Sequence, residues 1–341
     1  MANDGFTFRR ATPADRDAVL SLCSRIWEGD DYIPTCFDRW VADTEGELAL
    51  CLAAGDGGQP GAGVGPAAGE APRALPQGPA PGAATGTASR TARAGSRLVG
   101  LAKLTWLGPG EAWLEGLRKD PDCGLHGVGK ALCGRFLSRL SPLAREGRLC
   151  SIRFSTYFSN VESIALNSSL GFREVARASI LHREAAPCPA ASYAEVEPLR
   201  DPGELLRFVE DSGWFEPSPF IHEAWKSYSY SGRRFLERYL EGGSCLGVRR
   251  GGRLVAAIAR RINVEKDVGS IAFLYAEDDG AAAGLLAEAS AFFAAAGVGE
   301  MECVLPPGQA GSLAQLRSAG FDSWERLEDY ILYEYPLGNL A

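Results

Sequence analysis

The sequence is poor in histidine and lacks a recognisable metal-binding motif. Its 341 residues include only three histidines, His126, His182 and His222, and these do not form an H-E-x-x-H motif or another ligand spacing. Nine cysteines are scattered along the chain without a C-x-x-C pair. This pattern is typical of reduced thiols in a cytoplasmic protein. We therefore expect no metal site and a cytoplasmic location.

Long apolar runs and an excess of positive charge are also missing. No apolar run approaches the roughly 20 residues that a membrane helix needs, and the first residues, MANDGFTFRR, lack the apolar core of a signal peptide. The net charge of −8 disfavours binding to the phosphate backbone of nucleic acids. We expect neither a membrane nor a nucleic acid as a partner, and this charge suits small neutral or cationic amines.

Aromatic side chains are absent from residues 55–96, which consist mainly of Gly, Ala, Pro, Thr and Arg. Such a segment cannot bury enough apolar surface to offset the entropy of ordering it. We predict a disordered insertion at about 55–96, within a hairpin loop rather than between domains. Hydrophobic residues make up 46% of the chain, which is enough for globular cores, and the length suggests two domains.

Residues 111–140 indicate a strand, a glycine loop and a helix. The apolar run AWLEGL precedes polar turn residues, and Gly127 and Gly129 then open a helix in which Leu132 and Phe136 lie at helical spacing. Glycines at a helix start let backbone N–H groups approach a ligand, and the helix dipole favours an anion there. The expected ligand is a phosphate or pyrophosphate.

Two loop types compete for these residues. GLHGVGK at 124–130 nearly matches the P-loop G-x-x-x-x-G-K-[ST], but Ala131 lacks the hydroxyl that would hold Mg²⁺. A P-loop nucleotide hydrolase therefore stays open as an alternative. LHGVGKAL also resembles the pyrophosphate loop of the GNAT acetyltransferases, [QR]-x-x-G-x-[GA]. Gly127 and Gly129 match that loop, whereas Gly124 stands where the family usually has Gln or Arg.

A second segment, NVESIALNSSLGF at 160–172, resembles the GNAT signature N-x-x-A-I-x-L-Y-x-K-L-G-F. Asn160, Leu166 and Gly171 match it. The family's tyrosine, often the general acid toward the departing thiolate, is replaced by Asn167. An amide does not donate a proton as an acid, so this general acid is in question. The two signatures together are more specific than either alone.

The chain then repeats its own pattern. A cap, a proline and an apolar helix begin at Pro13 and again at Pro202, and a Gly-Phe pair follows a helix at Gly171 and again at Gly320. The two spacings are 158 and 118 residues, and their difference of 40 is close to the length of the insertion. We predict two tandem copies of one fold, in domains 1–188 and 192–341.

The second copy lacks the glycine loop and the candidate base of the first copy. Its glycine loop is replaced by LYAEDDGAAAG, in which Asp278 and Asp279 would repel a phosphate. Ala272 falls where the first copy has Glu115. We therefore expect a degenerate second copy that contributes structure.

The two signatures identify residues 1–184 as similar to the GNAT superfamily. The segments IWEGDDYIPTCFDRWVAD, WLEGLRKDP and ERLEDYILYEYPL also resemble the vertebrate histidine N-acetyltransferases. The resemblance implies an α/β (α+β) GNAT fold, with a mixed, mostly antiparallel sheet flanked by helices. It also implies acetyl transfer from acetyl-CoA (coenzyme A) to a small-molecule amine, such as a free amino acid, with histidine as one candidate.

The resemblance also implies roles for individual residues. A splayed central strand would bond the pantetheine arm, and the glycine loop would hold the pyrophosphate. An ammonium must lose its proton before it attacks a thioester, so Glu115 is the candidate catalytic base, and backbone N–H at Leu117 would stabilise the oxyanion. The predicted cofactor-binding residues are Leu117, Arg118, Lys119, Leu125, His126, Gly127, Val128, Gly129, Lys130, Asn160 and Asn167.

The acceptor side and the assembly are less constrained. Tyr32, Phe37 and Trp40 lie near several acids and are either core residues or a substrate wall. Together with Glu115 they are the predicted substrate-binding residues. We expect a monomer or homodimer. A catalytically impaired acyl-CoA-binding or partner-binding module is the alternative, because Asn167 replaces the family's tyrosine.

Overall fold

The computed structural model describes residues 5–29, 31–54, 96–186 and 196–340. The predicted insertion, apart from Ser96, and the predicted boundary at 188–192 lie outside these residues. By its contacts the chain divides into two compact units. Unit 1 comprises Met1–Phe154, Asn160–Arg173 and Glu334–Ala341, and unit 2 comprises Ser155–Ser159 and Glu174–Tyr333.

Unit 1 contains a five-stranded sheet with helices. Its elements are β1 (Phe6–Arg10), α1 (Arg16–Cys23), α2 (Ile33–Ala42), β2 (Glu47–Ala54), β3 (Ser96–Gly108), β4 (Glu111–Lys119), α3 (Val128–Arg145), β5 (Ser151–Tyr157) and α4 (Val161–Leu170). The strand order is β1-β2-β3-β4-β5. Neighbours are antiparallel except β4 and β5, which are parallel.

Unit 2 contains seven strands of a sheet and a separate hairpin. Its elements are β6 (Arg173–Glu184), β7 (Val196–Pro198), α5 (Pro202–Asp211), β8 (Phe220–Glu223), β9 (Lys226–Ser229), α6 (Gly232–Phe235), β10 (Cys245–Arg250), β11 (Arg253–Asn263), β12 (Val268–Ala276), α7 (Asp279–Ala295), β13 (Glu300–Leu305), α8 (Ala310–Ser318) and β14 (Tyr330–Glu334). The strand order is β14-β6-β13-β12-β11-β10-β7, and β8 and β9 form the hairpin.

The two units repeat one pattern of strands. In unit 1 the antiparallel run β1-β2-β3-β4 is followed by helix α3 and the parallel strand β5. In unit 2 the antiparallel run β7-β10-β11-β12 is followed by helix α7 and the parallel strand β13. This order confirms the predicted duplication and the mixed, mostly antiparallel sheet flanked by helices.

The helix starts follow the local chemistry of the sequence. Thr12 precedes a short 3₁₀ turn that leads into α1, and the Asp15 carboxylate accepts hydrogen bonds from Thr12 N and Oγ1 at 2.8 Å each. The repeated device appears at α5, where Asp201 Oδ1 accepts from Gly203 N at 2.9 Å. Both caps use groups that would otherwise lack partners at a helix start.

The core of unit 1 lies between the first two helices and the sheet. Val19 and Leu22 of α1 and Phe37 of α2 pack against Leu50 of β2 and Leu101 of β3. Within the described residues, no helix combines the length and the apolar character needed to cross a bilayer.

Candidate functional site

The parallel pairing of β4 with β5 ends partway along β4. The register joins Glu111–Trp113 to residues 151–153, whereas β4 continues to Lys119. Past Trp113 the β5-facing edge of β4 therefore has no ladder partner in this register. Peptide N–H and C=O groups on such an edge need other partners, and an extended ligand can supply them.

A β-bulge lies in this same stretch of β4. Lys103 pairs with Glu115 and Leu101 pairs with Arg118, so Gly116 and the next residue oppose a single residue of β3. Gly116 has φ +64°, a left-handed conformation that L side chains rarely adopt. A Cβ there would also lie 2.6 Å from Trp40 Cη2. The bulge bends β4 and changes the direction of the side chains beside it.

Glu115 lies immediately before the bulge and is partly exposed. Thr105 Oγ1 donates a hydrogen bond to Glu115 Oε1 at 2.6 Å. Burial raises the pKa of Tyr32 well above its ordinary value; the Arg118 cation opposes this shift and the Glu115 carboxylate adds to it. Tyr32, Glu115 and Arg118 are therefore within electrostatic reach of one another.

The side chain of Arg118 is occupied by contacts within unit 1. It is 8% exposed, and its Nε and Nη2 donate to Asp31 Oδ2 and Oδ1 at 2.8 and 3.0 Å. Its guanidinium carbon lies 4.2 Å from the centroid of the Trp27 ring. The guanidinium holds the start of α2 against β4. Any contact between Arg118 and a cofactor would therefore use the backbone of Arg118 and not its side chain.

The three aromatic residues predicted to bind substrate lie in different environments. Phe37 and Trp40 are buried in the core of unit 1. The Trp40 ring packs against Gly116 at the bulge. Tyr32 packs edge-on against Trp40, with ring centroids 5.9 Å apart. Of the three, Tyr32 is the one that the structure places beside the charges of Glu115 and Arg118.

The glycine loop ends in an uncapped helix start. Leu125, His126 and Lys130 are exposed. Gly127 is the N-cap of α3, has φ +81°, and no side chain caps the helix. The first intrahelical bond runs from Ala131 N to Gly127 O at 2.9 Å. The N–H groups at positions 128–130 thus lack intrahelical acceptors, as expected for the first turn of an α-helix.

Gly129 brings three elements together at this helix start. A Cβ at Gly129 would lie 2.9 Å from Leu166 Cδ2 of α4 and 3.6 Å from Leu117 Cδ2 of β4. A Cβ at Gly100 of β3 would likewise lie 2.6 Å from Val128 Cγ1. The absent side chains let α3 begin directly against the bulged part of β4.

Asn160 and Asn167 both serve α4. Asn160 Oδ1 caps the helix by accepting from Ser163 N at 3.1 Å. Asn167 is 4% exposed, its Nδ2 donates to Ser163 O at 2.8 Å, and its Oδ1 lies 4.0 Å from Cys133 Sγ. Burial raises the pKa of the Cys133 thiol to about 12. The Asn167 amide is therefore held within α4 and lies next to Cys133 of α3.

The equivalent helix start in unit 2 is capped by a side chain. The N-cap of α7 is Asp278, whose Oδ1 accepts from Ala281 N at 2.7 Å. A bulge again interrupts the strand before the helix, but Ala272 is the extra residue there. The first turn of this helix is therefore already capped by a carboxylate. Among the described residues of the chain, no group of three or more His, Cys, Asp or Glu could hold a metal ion.

Three further residues contribute to this site and were not predicted from the sequence: Thr105, Asp31 and Trp27. Thr105 could have been found from the strand register, because it lies diagonally across from Glu115 on the same face of the sheet. The Asp31–Arg118 pair joins residues 87 positions apart, and no local pattern signals it.

Solved structures share this fold. A GCN5-related N-acetyltransferase from Sphaerobacter thermophilus aligns over 99% of this chain and 97% of that chain, with a TM-score of 0.61 and 16% identity. A GCN5-related glucosamine N-acetyltransferase region in a fungal multi-domain β-N-acetylglucosaminidase aligns over 98% of this chain and 38% of that chain, with a TM-score of 0.55 and 12% identity. No protein-family model and no curated protein matches the sequence. Across both units, the chain has the fold of the GCN5-related N-acetyltransferases.

Proposed function

We propose that this chain is an N-acetyltransferase that moves an acetyl group from acetyl-CoA to the amine of a small molecule. A free amino acid is the proposed acceptor, with histidine as one candidate on the resemblance of the sequence. The observation that carries the proposal is the meeting, at Gly129, of an uncapped helix start with the bulged part of β4 beyond its pairing with β5. Because the fold matches acetyltransferases, the P-loop alternative loses its support.

The residues present fit coenzyme A. The N–H groups of Val128, Gly129 and Lys130 are donors suited to a pyrophosphate, and the exposed Lys130 adds a cation. The peptide groups of residues 117–119 offer strand-type hydrogen bonds to the amides of pantetheine. Gly127 and Gly129 keep side chains away from the anion. When bound, acetyl-CoA supplies the activated acetyl thioester.

Glu115 is the proposed catalytic base. The acceptor amine must lose a proton before it can attack, and Glu115 takes that proton directly or through a water molecule. Thr105 holds the carboxylate by its 2.6 Å hydrogen bond. The N–H of Leu117 donates to the oxygen that becomes negative during attack. Asn167 donates no proton as an acid, so the departing thiolate takes its proton from solvent.

The proposal is tested by incubating the full chain with acetyl-CoA and each of a panel of free amino acids. Mass spectrometry of the products identifies the acetylated amine, and the signal should depend on both substrates. A parallel measurement of coenzyme A binding by calorimetry separates cofactor affinity from turnover. Tight binding without turnover on any amine would overturn the transferase proposal.

That same outcome would support a second candidate function, an acyl-CoA-binding module without chemistry. The observation that favours it is the buried amide of Asn167, bonded to Ser163 where the family has tyrosine. Formation of an acetylated product with any acceptor would exclude this second function, because a binding module does not catalyse acetyl transfer.

A further inference from the structure

Unit 2 contains a buried carboxyl group with one oxygen atom that has no hydrogen-bond partner among the described residues. Glu302 of β13 is 4% exposed, and within the described residues its Oε1 has no hydrogen-bond partner. Burial raises the pKa of Glu302 to about 8; the Glu300 carboxylate adds to this shift and Lys266 opposes it. A buried carboxyl group in such a place costs free energy unless a ligand or ion pairs with it.

The position of Glu302 in the sheet shows which way its side chain faces. Glu302 pairs with Ser270 of β12 and with His182 of β6, so these three side chains share one face. The β8–β9 hairpin covers that face, because Ala224 N donates to Ser270 Oγ at 3.1 Å. Glu302 therefore points beneath the hairpin.

Aromatic rings line the same region. Trp225 follows Ala224 in the turn of the hairpin, and its ring stacks on Trp324 with centroids 6.1 Å apart and 14° between the planes. The Tyr330 ring lies 5.7 Å from Trp225, and the His182 ring lies 5.2 Å from Trp324. Both indoles are partly exposed, so this ring cluster reaches the surface of unit 2.

Two further features connect the ring cluster to a ligand. His182, the cross-strand neighbour of Glu302, has its ring against Trp324, so the Glu302 carboxyl group and the ring cluster share one face of the sheet. Trp324 Nε1 is buried and has no acceptor within the described residues. A ligand that satisfies both groups carries a positive charge and a hydrogen-bond acceptor.

The chemistry of these groups selects an organic cation. Faces of Trp and Tyr rings attract ammonium groups, most strongly where water is excluded. Glu302 supplies the opposite charge once its carboxyl group releases its proton to solvent as the cation binds. We propose that unit 2 binds a small organic ammonium ion beneath the β8–β9 hairpin, with Glu302 as its charge partner and Trp225 and Trp324 as its walls. This site stands apart from the proposed transferase function and does not depend on it.

The test uses choline as the probe, titrated calorimetrically into the full chain without acetyl-CoA. The neutral isostere 3,3-dimethylbutan-1-ol has the same shape and hydroxyl but no charge. We expect choline to bind at least about tenfold more tightly than the isostere. Glu302→Gln should weaken choline binding about tenfold, as should Trp324→Leu. Glu184→Gln, an exposed carboxylate on β6, is the matched control and should leave binding unchanged.

Equal affinity for choline and its isostere, or no binding of either, would overturn the proposal. Unchanged choline affinity in Glu302→Gln would also overturn it. Circular dichroism and thermal unfolding establish that each variant is folded. If Glu302→Gln does not fold, the isostere comparison and Trp324→Leu decide the outcome. Coenzyme A affinity, measured in parallel, keeps this result separate from the transferase proposal.

Discussion

Single residues of unit 1 are held in place by neighbours that lie far away in the sequence. Thr105 reaches Glu115 because β3 and β4 pair, and Asp31 reaches Arg118 across 87 positions. The Arg118–Asp31 pair is almost fully buried, so removal of either partner leaves an uncompensated charge. The proposed base therefore lies in a stretch of β4 that these contacts keep fixed.

The proposed role of Glu115 is tested by Glu115→Gln. The amide keeps the shape of the side chain but cannot accept the proton of an acceptor ammonium, so kcat should fall by about 10²–10⁴. Coenzyme A affinity should stay within about twofold, because Glu115 is not among the proposed cofactor donors. The control Glu162→Gln changes an exposed carboxylate at the start of α4 and should keep full activity. A small change in kcat for Glu115→Gln would exclude the base role.

Glu302 makes the stability of the chain depend on pH. Its pKa is raised from 4.5 to about 8 in the folded state, so the folded chain holds a proton that the unfolded chain releases. The contribution of this group to stability is greatest below about pH 4.5 and falls as pH rises toward about 8. Glu302→Gln carries no charge at any pH. The free energy of unfolding of Glu302→Gln should therefore be higher than that of the wild type at pH 9. Near pH 4.5 the two values should be equal.

Denaturant titrations at these two pH values, without added ligand, measure that difference. Glu184→Gln should show no pH-dependent difference from the wild type, because its carboxylate is exposed. Parallel pH profiles for wild type and Glu302→Gln would contradict the prediction.

At the scale of elements, the bulge in β4 depends on a glycine. Gly116→Ala introduces a Cβ 2.6 Å from Trp40 Cη2 at φ +64°, and both strain and overlap should destabilise the fold by about 1–3 kcal/mol. Chemical denaturation measures this cost. Gly124→Ala is the matched control, because nothing lies within 4 Å of its added Cβ. A neutral effect of Gly116→Ala would show that the bulge tolerates a side chain.

The two helix starts allow one copy to be converted toward the other. Gly127→Asp places at α3 the type of residue that caps α7 at Asp278. Its carboxylate would bond the N–H groups proposed for the pyrophosphate and repel that anion. Coenzyme A affinity, measured by calorimetry, should fall at least about tenfold more than in Gly127→Asn, which has the same shape without charge. Equal losses in both variants would contradict an electrostatic role for this helix start.

Short-range chemistry was predictable from the sequence and long-range pairing was not. The proline-led helix starts and the glycine loop at 127–129 each depend on residues close together in the chain, and each is present. The direction of a side chain in β4 depends on the bulge, which the sequence shows only as a glycine. The burial of Glu302 depends on the pairing of β13 with β6, between segments more than 100 positions apart.

At the scale of the whole molecule, the two copies differ at the helix start that is proposed to bind coenzyme A. The start of α3 is uncapped, whereas Asp278 occupies the start of α7. We therefore expect one molecule of coenzyme A per chain in a calorimetric titration. Gly127→Asp should remove this single binding event, while Asp278→Asn should leave the stoichiometry at one. A stoichiometry of two would show that the second copy retains a cofactor site.

Neither unit is built from one uninterrupted half of the chain. Unit 2 takes in residues 174–184, which precede the predicted boundary, and pairs them with β13. Unit 1 takes in the C-terminal residues 334–341, among which Tyr335 N donates to Ile152 O at 2.8 Å. Deleting either half of the gene would remove residues that belong to the unit formed mainly by the other half. A gene shortened to its first half would therefore encode a unit 1 that lacks residues 334–341, so neither copy can be expressed complete on its own.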